Sequence, residues 1–212
     1  MDKIGIFSLK KVLFPDSLVP LHIFEERYLS LVHEAYNNKY VFGINLDASV
    51  KVYETGCTAE IVDIVKEYTD GRKDILIKGG RRYKMKNYGK SGQLWNTAEI
   101  EYLNDREENV DEALAEQCIS KYNEIAEKVK KQFYIKKLDA SNASYLRLSF
   151  HIAQKSGMSL VERQNLLGLT SENERLKILL SHFNKMIPMI KEAGIISEII
   201  RNDGYYDPKH FK

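Results

Sequence analysis

The stretch that most constrains this chain is Leu13–Val32, which holds two prolines, a charged cluster and the start of an apolar stripe within twenty residues. Val12-Leu13-Phe14 is a β-type apolar run that Pro15 stops, because proline removes a backbone donor. Pro20 holds the residue before it extended, so Ser17–Val19 is expected to be a crossing loop. From Ile23 the period changes. Phe24, Tyr28, Leu31, Val32, Ala35 and Tyr36 recur at steps of three and four, which predicts a helix of roughly four turns near residues 23–37. Glu25 and Glu26 fall in its first turn, where carboxylates complement the helix dipole. Strand, proline loop and packed helix in quick succession make a folding anchor for the rest of the chain.

Downstream, the pattern is first β and then α. Ile4–Leu9, Tyr40–Leu46, Lys51–Tyr53 and Cys57–Val65 read as strands. In the last of these, Ala59, Ile61 and Val65 share one face and Val62 and Ile64 the other, as in a strand curled into a barrel. Tyr68-Thr69-Asp70-Gly71-Arg72 is a hairpin signal, since Asp-Gly supplies the positive φ of a tight turn. Asp74–Lys78, Arg81–Tyr88 and Leu94–Leu103 complete the β section, with a bulge or corner expected at Gly79-Gly80. Composition shifts at the charged linker Asn104–Asn109. Beyond it Leu114, Cys118, Tyr122, Ile125, Val129 and Phe133 define a long helical stripe, and Ser141–Ser156 a second helix. Ser159 with Glu162 and Ser171 with Glu174 have capping-box spacing and start helices near Leu160–Leu167 and Glu172–Ile187. The fold class is therefore α+β, with a β lobe over residues 1–105, a helical lobe over 106–200 and a tail at 201–212.

Composition excludes several classes. A formal charge of +2 gives no global attraction to nucleic acid or anionic membrane. No apolar run approaches the roughly 20 residues of a membrane span. Met1–Gly5 lacks the pattern of a signal peptide, and Cys57 and Cys118 are isolated, as reduced thiols are. A cytoplasmic location is the expectation.

The familiar reactive motifs fail at specific positions. Gly89-Lys90-Ser91 resembles a P-loop ending, yet Lys84 stands where the upstream glycine belongs. His33-Glu34 starts like a zinc-protease motif, but Asn37 replaces the second histidine ligand. His22, His33, His151, His182 and His210 have no ligand spacing, and no Gly-x-Ser-x-Gly elbow exists. No metal or cofactor is expected. The run Lys78–Lys86, with Arg81, Arg82 and Lys84 around Tyr83, is the one nucleic-acid candidate, since cations beside an aromatic can neutralise phosphates and stack bases. Tyr88 and Tyr205-Tyr206 are candidate contact residues, as tyrosine suits wet interfaces.

Phe14-Pro15, Pro20-Leu21-His22-Ile23-Phe24-Glu25 and Arg27-Tyr28 resemble the signature of the Lon protease N-terminal (substrate-binding) domain. Gly56-Cys57 with Ala59-Glu60-Ile61, Ile77-Lys78-Gly79 with Arg82-Tyr83, Leu160–Gln164 and Glu174-Arg175-Leu176 extend the likeness over about residues 4–190. The form is close to that of stand-alone bacterial proteins made of this domain only. Asp16 stands where glycine is common, and Glu26 where a proline often precedes the arginine.

The resemblance implies a PUA-like β pseudo-barrel followed by a small helical bundle. It also implies a non-catalytic module that recognises unfolded or tagged polypeptide, self-associates, or serves a protease or chaperone as adaptor. Leu21, Phe24, Glu25, Arg27 and Tyr28 are then the candidate peptide-binding residues. For Glu25 and Arg27 the plainer expectation is that they bond the backbone of the Pro15–Pro20 loop. Two rivals stand beside this reading: RNA binding through Arg81, Arg82, Tyr83 and Lys84, and a peptidase-associated activity, for which the nucleotide-binding loop and Ser–Lys pair of full-length Lon are missing.

Overall fold

The structure, a computed structural model, describes residues 2–129, 135–139, 145 and 147–190. Phe133, Tyr205, Tyr206, His210, the tail at 201–212 and most of the start of the expected Ser141–Ser156 helix lie outside them. The chain forms two compact units, which among the described residues are 2–104 and 105–190.

The first unit holds β1 (Asp2–Leu9), β2 (Leu18–Ile23), α1 (Glu26–Asn38), β3 (Phe42–Asp47), β4 (Val52–Glu67), β5 (Lys73–Lys90) and β6 (Asn96–Tyr102). The strands form one six-stranded sheet in the order β2-β5-β4-β3-β1-β6, and a further β5–β6 pairing closes it on itself. Closure is possible because β5 is 18 residues long. Its first half pairs with β2, its second half with β6, and β4 runs beside both. β1 and β3 are parallel, so β2 and α1 form the crossover between them. Apolar residues of α1 (Tyr28, Leu31, Val32, Ala35) pack on Phe7, Val19, Ile23, Phe42, Ile75 and Ile77 in one core.

The anchor stretch folds differently from its expected pattern. Leu18–Ile23 is a strand, not a loop leading into a helix, and α1 begins only at Glu26. Proline fits β2 because, among the described strands, it pairs with β5 alone, so the donor that Pro20 lacks has no ladder bond to make there. The later helix start leaves Phe24 off the buried stripe, 63% exposed. Val12, Leu13 and Phe14 are buried without joining the sheet. Asp16 adopts φ 61°, the left-handed conformation that favours glycine.

Gly79 shows why β5 passes through the paired glycines without breaking. A Cβ there would lie 2.0 Å from the Phe14 carbonyl oxygen. The backbone of the Pro15 turn is laid directly on Gly79, whose N–H donates to Ser17 O and whose carbonyl accepts from Asp16 N, each at 2.9 Å. The register with β4 shifts beside this point, between Cys57 and Ala59, as a bulge requires.

The described regular elements of the second unit are α2 (Glu112–Val129), α3 (Leu148–Gln154), α4 (Leu160–Gly168) and α5 (Glu172–Met189). Both capping signals mark helix starts, but among the described bonds only the first closes a reciprocal box. Ser159 and Glu162 form a reciprocal capping box on α4, and Ser171 accepts from Glu174 N at the start of α5. The α2 stripe (Leu114, Cys118, Tyr122, Ile125, Val129) is buried.

Candidate functional site: a cleft at the end of β2

Where β2 hands over to α1, the first unit carries a cleft of about 480 Å³. Its lining includes Leu21, Phe24, Glu25, Arg27 and Tyr28, the five candidate peptide-binding residues, together with the end of β1. The chain builds it simply. The turn between Ile23 and Glu26 throws the Phe24 ring outward, and the first turn of α1 sets Arg27 and Tyr28 on adjacent sides.

Tyr28 forms the floor. It is 5% exposed, its ring stacks on Phe7 with centroids 3.8 Å apart, and its hydroxyl donates to Ser8 O at 3.1 Å. Burial pushes its phenol above the ordinary range, so it stays a neutral donor. The Arg27 guanidinium lies 4.4 Å from the centroid of the same ring, and its Nη2 meets Glu25 Oε2 at 2.7 Å. Glu25 and Arg27 thus bond each other. Among the described contacts neither reaches the Pro15–Pro20 loop, which is held instead by main-chain bonds to Gly79.

One side of the cleft has a polar cluster that sequence reasoning missed. His22 Nδ1 lies 2.6 Å from Asp74 Oδ1, and the Tyr68 hydroxyl donates to Asp74 Oδ2 at 2.7 Å. The hydrogen bonds from His22 and then Tyr68 hold the Asp74 carboxyl below its usual range. The His22 ring lies 6.1 Å from that of Phe24. The signal that could have found this cluster is the pairing of His22 with Asp74 across β2 and β5, a register that one strand's own pattern does not reveal.

The nucleic-acid candidates are not brought together. Tyr83 is fully buried inside the sheet and donates to Asn45 Oδ1, and Arg82 is 4% exposed. Arg81 is spread over the Tyr102 ring at 3.7 Å, while Lys84 points to solvent and Lys86 pairs with Glu101. With its aromatic in the core, the run offers no face on which bases stack. Among the described residues no group of three or more His, Cys, Asp or Glu is placed to share a metal ion, and no helix is long and apolar enough to cross a membrane.

Two solved structures share the fold. A Lon N-terminal domain protein from Xanthomonas campestris superposes with a TM-score of 0.65 at 21% identity, covering 85% of this chain and 98% of the other. The N-terminal domain of a Mycobacterium avium complex Lon protease gives 0.67 at 12% identity, covering 86% and 98%. Among curated sequences, Lon protease 2 of Syntrophobacter fumaroxidans is 21% identical over 95% of this chain, and the Lon protease of Escherichia coli K12 is 24% identical over 90%. The chain spans about a quarter of the length of these relatives, 27% and 25%. The family model of the substrate-binding domain of ATP-dependent protease La (Lon) matches residues 3–185, and the chain belongs to that family.

Proposed function

We propose that this protein binds exposed segments of other polypeptides through the cleft at the end of β2 and carries out no chemistry of its own. The observation that carries the reading is the gathering of Leu21, Phe24, Glu25, Arg27 and Tyr28 around one opening, with Phe24 63% exposed at its rim. An exposed aromatic beside a stacked Phe7–Tyr28 floor offers apolar area to a client side chain, and the Glu25–Arg27 pair gives a polar edge. Membership of the Lon substrate-binding family supports recognition of protein substrates.

In this reading the sheet is a PUA-like pseudo-barrel and residues 106–200 its helical companion in one Lon N-terminal-type domain. The protein works in the cytoplasm and delivers clients to a protease or chaperone.

The test is titration of purified protein with a chemically unfolded, fluorescently labelled client over a salt series. Wild type is expected to bind with little salt dependence, and Phe24→Ala to weaken binding about tenfold while keeping its circular dichroism spectrum. Binding that F24A leaves unchanged would move the site elsewhere. Salt-steep binding to a short RNA, with none to the client, would replace the reading altogether.

A further inference from the structure

The pairing of β2 fixes what its outer edge presents. Gly79 N–H donates to Ser17 O, which sets Ser17 opposite Gly79 as a hydrogen-bonded position, and the register then runs without a shift from Leu18↔Lys78 to Ile23↔Lys73. Antiparallel pairs alternate, so Val19, Leu21 and Ile23 bond β5, while the main-chain groups of Leu18, Pro20 and His22 point away from it. Pro20 falls on the outward set, where its missing N–H costs no ladder bond, which agrees with this phase. The outer edge thus offers the N–H groups of Leu18 and His22 and the carbonyls of Leu18, Pro20 and His22. No described strand pairs with it.

An unpaired edge on β4 is treated differently. β4 leaves β3 after Ala59, and from there its register with β5 shifts twice, between Ile61 and Asp63 and between Ile64 and Lys66. Two bulges and the exposed charges of Asp63, Lys66 and Glu67 twist and guard that edge against another strand. β2 has neither device apart from one proline, and its far end opens into the cleft beside Phe24.

We propose that the polypeptide recognised by this protein docks as an added, extended strand along the outer edge of β2, with one of its side chains entering the cleft. Only a backbone in extended form supplies donors and acceptors at the two-residue spacing that Leu18, Pro20 and His22 present. The proposal rests on the reading that the cleft binds polypeptide, and adds which edge is used and that main-chain groups carry the affinity.

The test uses wild-type protein and a short fluorescein-labelled unstructured peptide, rich in valine and leucine with one phenylalanine, in which each backbone nitrogen is methylated in turn. Methylation at alternate positions is expected to weaken binding about tenfold each, with the intervening positions silent. On the protein, His22→Ala and His22→Pro both lose the ring, but His22→Ala keeps the edge N–H and His22→Pro does not, so His22→Pro is expected to bind about tenfold more weakly than His22→Ala. Thermal melts and Trp95 fluorescence check that H22P is folded, and the peptide scan stands whether or not it is.

A flat methylation scan with binding still weakened about tenfold by F24A overturns the strand proposal and leaves the cleft reading in place. No binding by any peptide overturns both. A dimer that H22P dissolves and peptide does not displace assigns the edge to a second copy of the chain, and overturns the proposal too.

Discussion

The guanidinium of Arg175 grips the carboxylate of Asp105 through two hydrogen bonds of 2.7 Å, Nη1 to Oδ1 and Nη2 to Oδ2. Arg175 has no solvent-exposed side-chain surface, and it also bonds Ser149 Oγ, Leu169 O and the buried carboxylate of Glu172 while lying over the Phe150 ring. Burial alone lowers the pKa of such a cation, but hydrogen bonds and charge from Asp105 and Glu172 outweigh it and raise the value. One side chain therefore ties the first residue of the second unit to α3 and α5.

Replacing it strands Glu172, which is 5% exposed. Arg175→Met is predicted to destabilise the helical unit by about 3–5 kcal/mol, the cost of leaving a buried charge unpaired. Arg175→Lys is predicted to recover less than half of that, because an ammonium cannot make the planar fork. Urea titration followed by helical circular dichroism measures both. A loss below about 1 kcal/mol for R175M contradicts the prediction.

Glu108 sits nearby in the same linker. Its carboxylate accepts from Asn173 N, Ser171 Oγ and Arg106, and these bonds, the backbone one foremost, pull its pKa to about 2 from an ordinary 4.5. A depressed acid stabilises the folded state fully above the unfolded pKa and loses that contribution as pH falls through the folded value. Wild type is predicted to melt higher than Glu108→Gln at pH 6, with the difference shrinking between pH 4.5 and 2. A melting-temperature gap that stays constant over that window rules the linkage out.

Much of the fold was legible in the sequence, and the failures have physical causes. Capping spacing located α4 and α5 because a cap is local: Ser159 needs only Glu162 to close its box. The Asp70-Gly71 hairpin was legible for the same reason, with Gly71 at φ 88°. β2 was missed because its strand character comes from β5, fifty to sixty residues away, and two prolines look like a loop until an edge is available. The five candidate peptide-binding residues line one opening, yet Phe24 is there because it escaped the stripe expected to bury it.

β4 turns the same point into a measurement. Strict alternation places Ile61 with Val65 and Val62 with Ile64. The two bulges change the period to three, so Ile61 and Ile64 pack on the core while Val62 and Val65 are 50% and 63% exposed. Val62→Thr and Val65→Thr are predicted to shift stability by under about 0.5 kcal/mol. Ile64→Thr is predicted to cost about 1–2 kcal/mol, since it takes a methyl from the core and puts a hydroxyl there. Urea midpoints for the three variants decide it, and equal losses for Val65 and Ile64 would restore simple alternation.

Inside the closed sheet, Tyr83 occupies space that two glycines leave for it. A Cβ on Gly43 would lie 2.1 Å from the Tyr83 hydroxyl oxygen and one on Gly56 2.6 Å from it, while the hydroxyl donates to Asn45 Oδ1. Asn45 in turn donates to Tyr53 O at 2.8 Å, so the phenol ends a short buried relay. Gly43→Ala is predicted to cost about 1–3 kcal/mol by overpacking, and Tyr83→Phe about 1–3 kcal/mol by leaving the Asn45 oxygen without its donor. The double variant is predicted to lose clearly less than the sum, because removing the hydroxyl oxygen takes away the closest of the new methyl's contacts, leaving Ile6 Cδ1 at 2.8 Å and Tyr83 Cζ at 2.9 Å. Trp95, the chain's single tryptophan and part of the β core, reports the unfolding of this unit by fluorescence. Strict additivity of the two losses would mean that the Gly43–Tyr83 contact is not what requires glycine there.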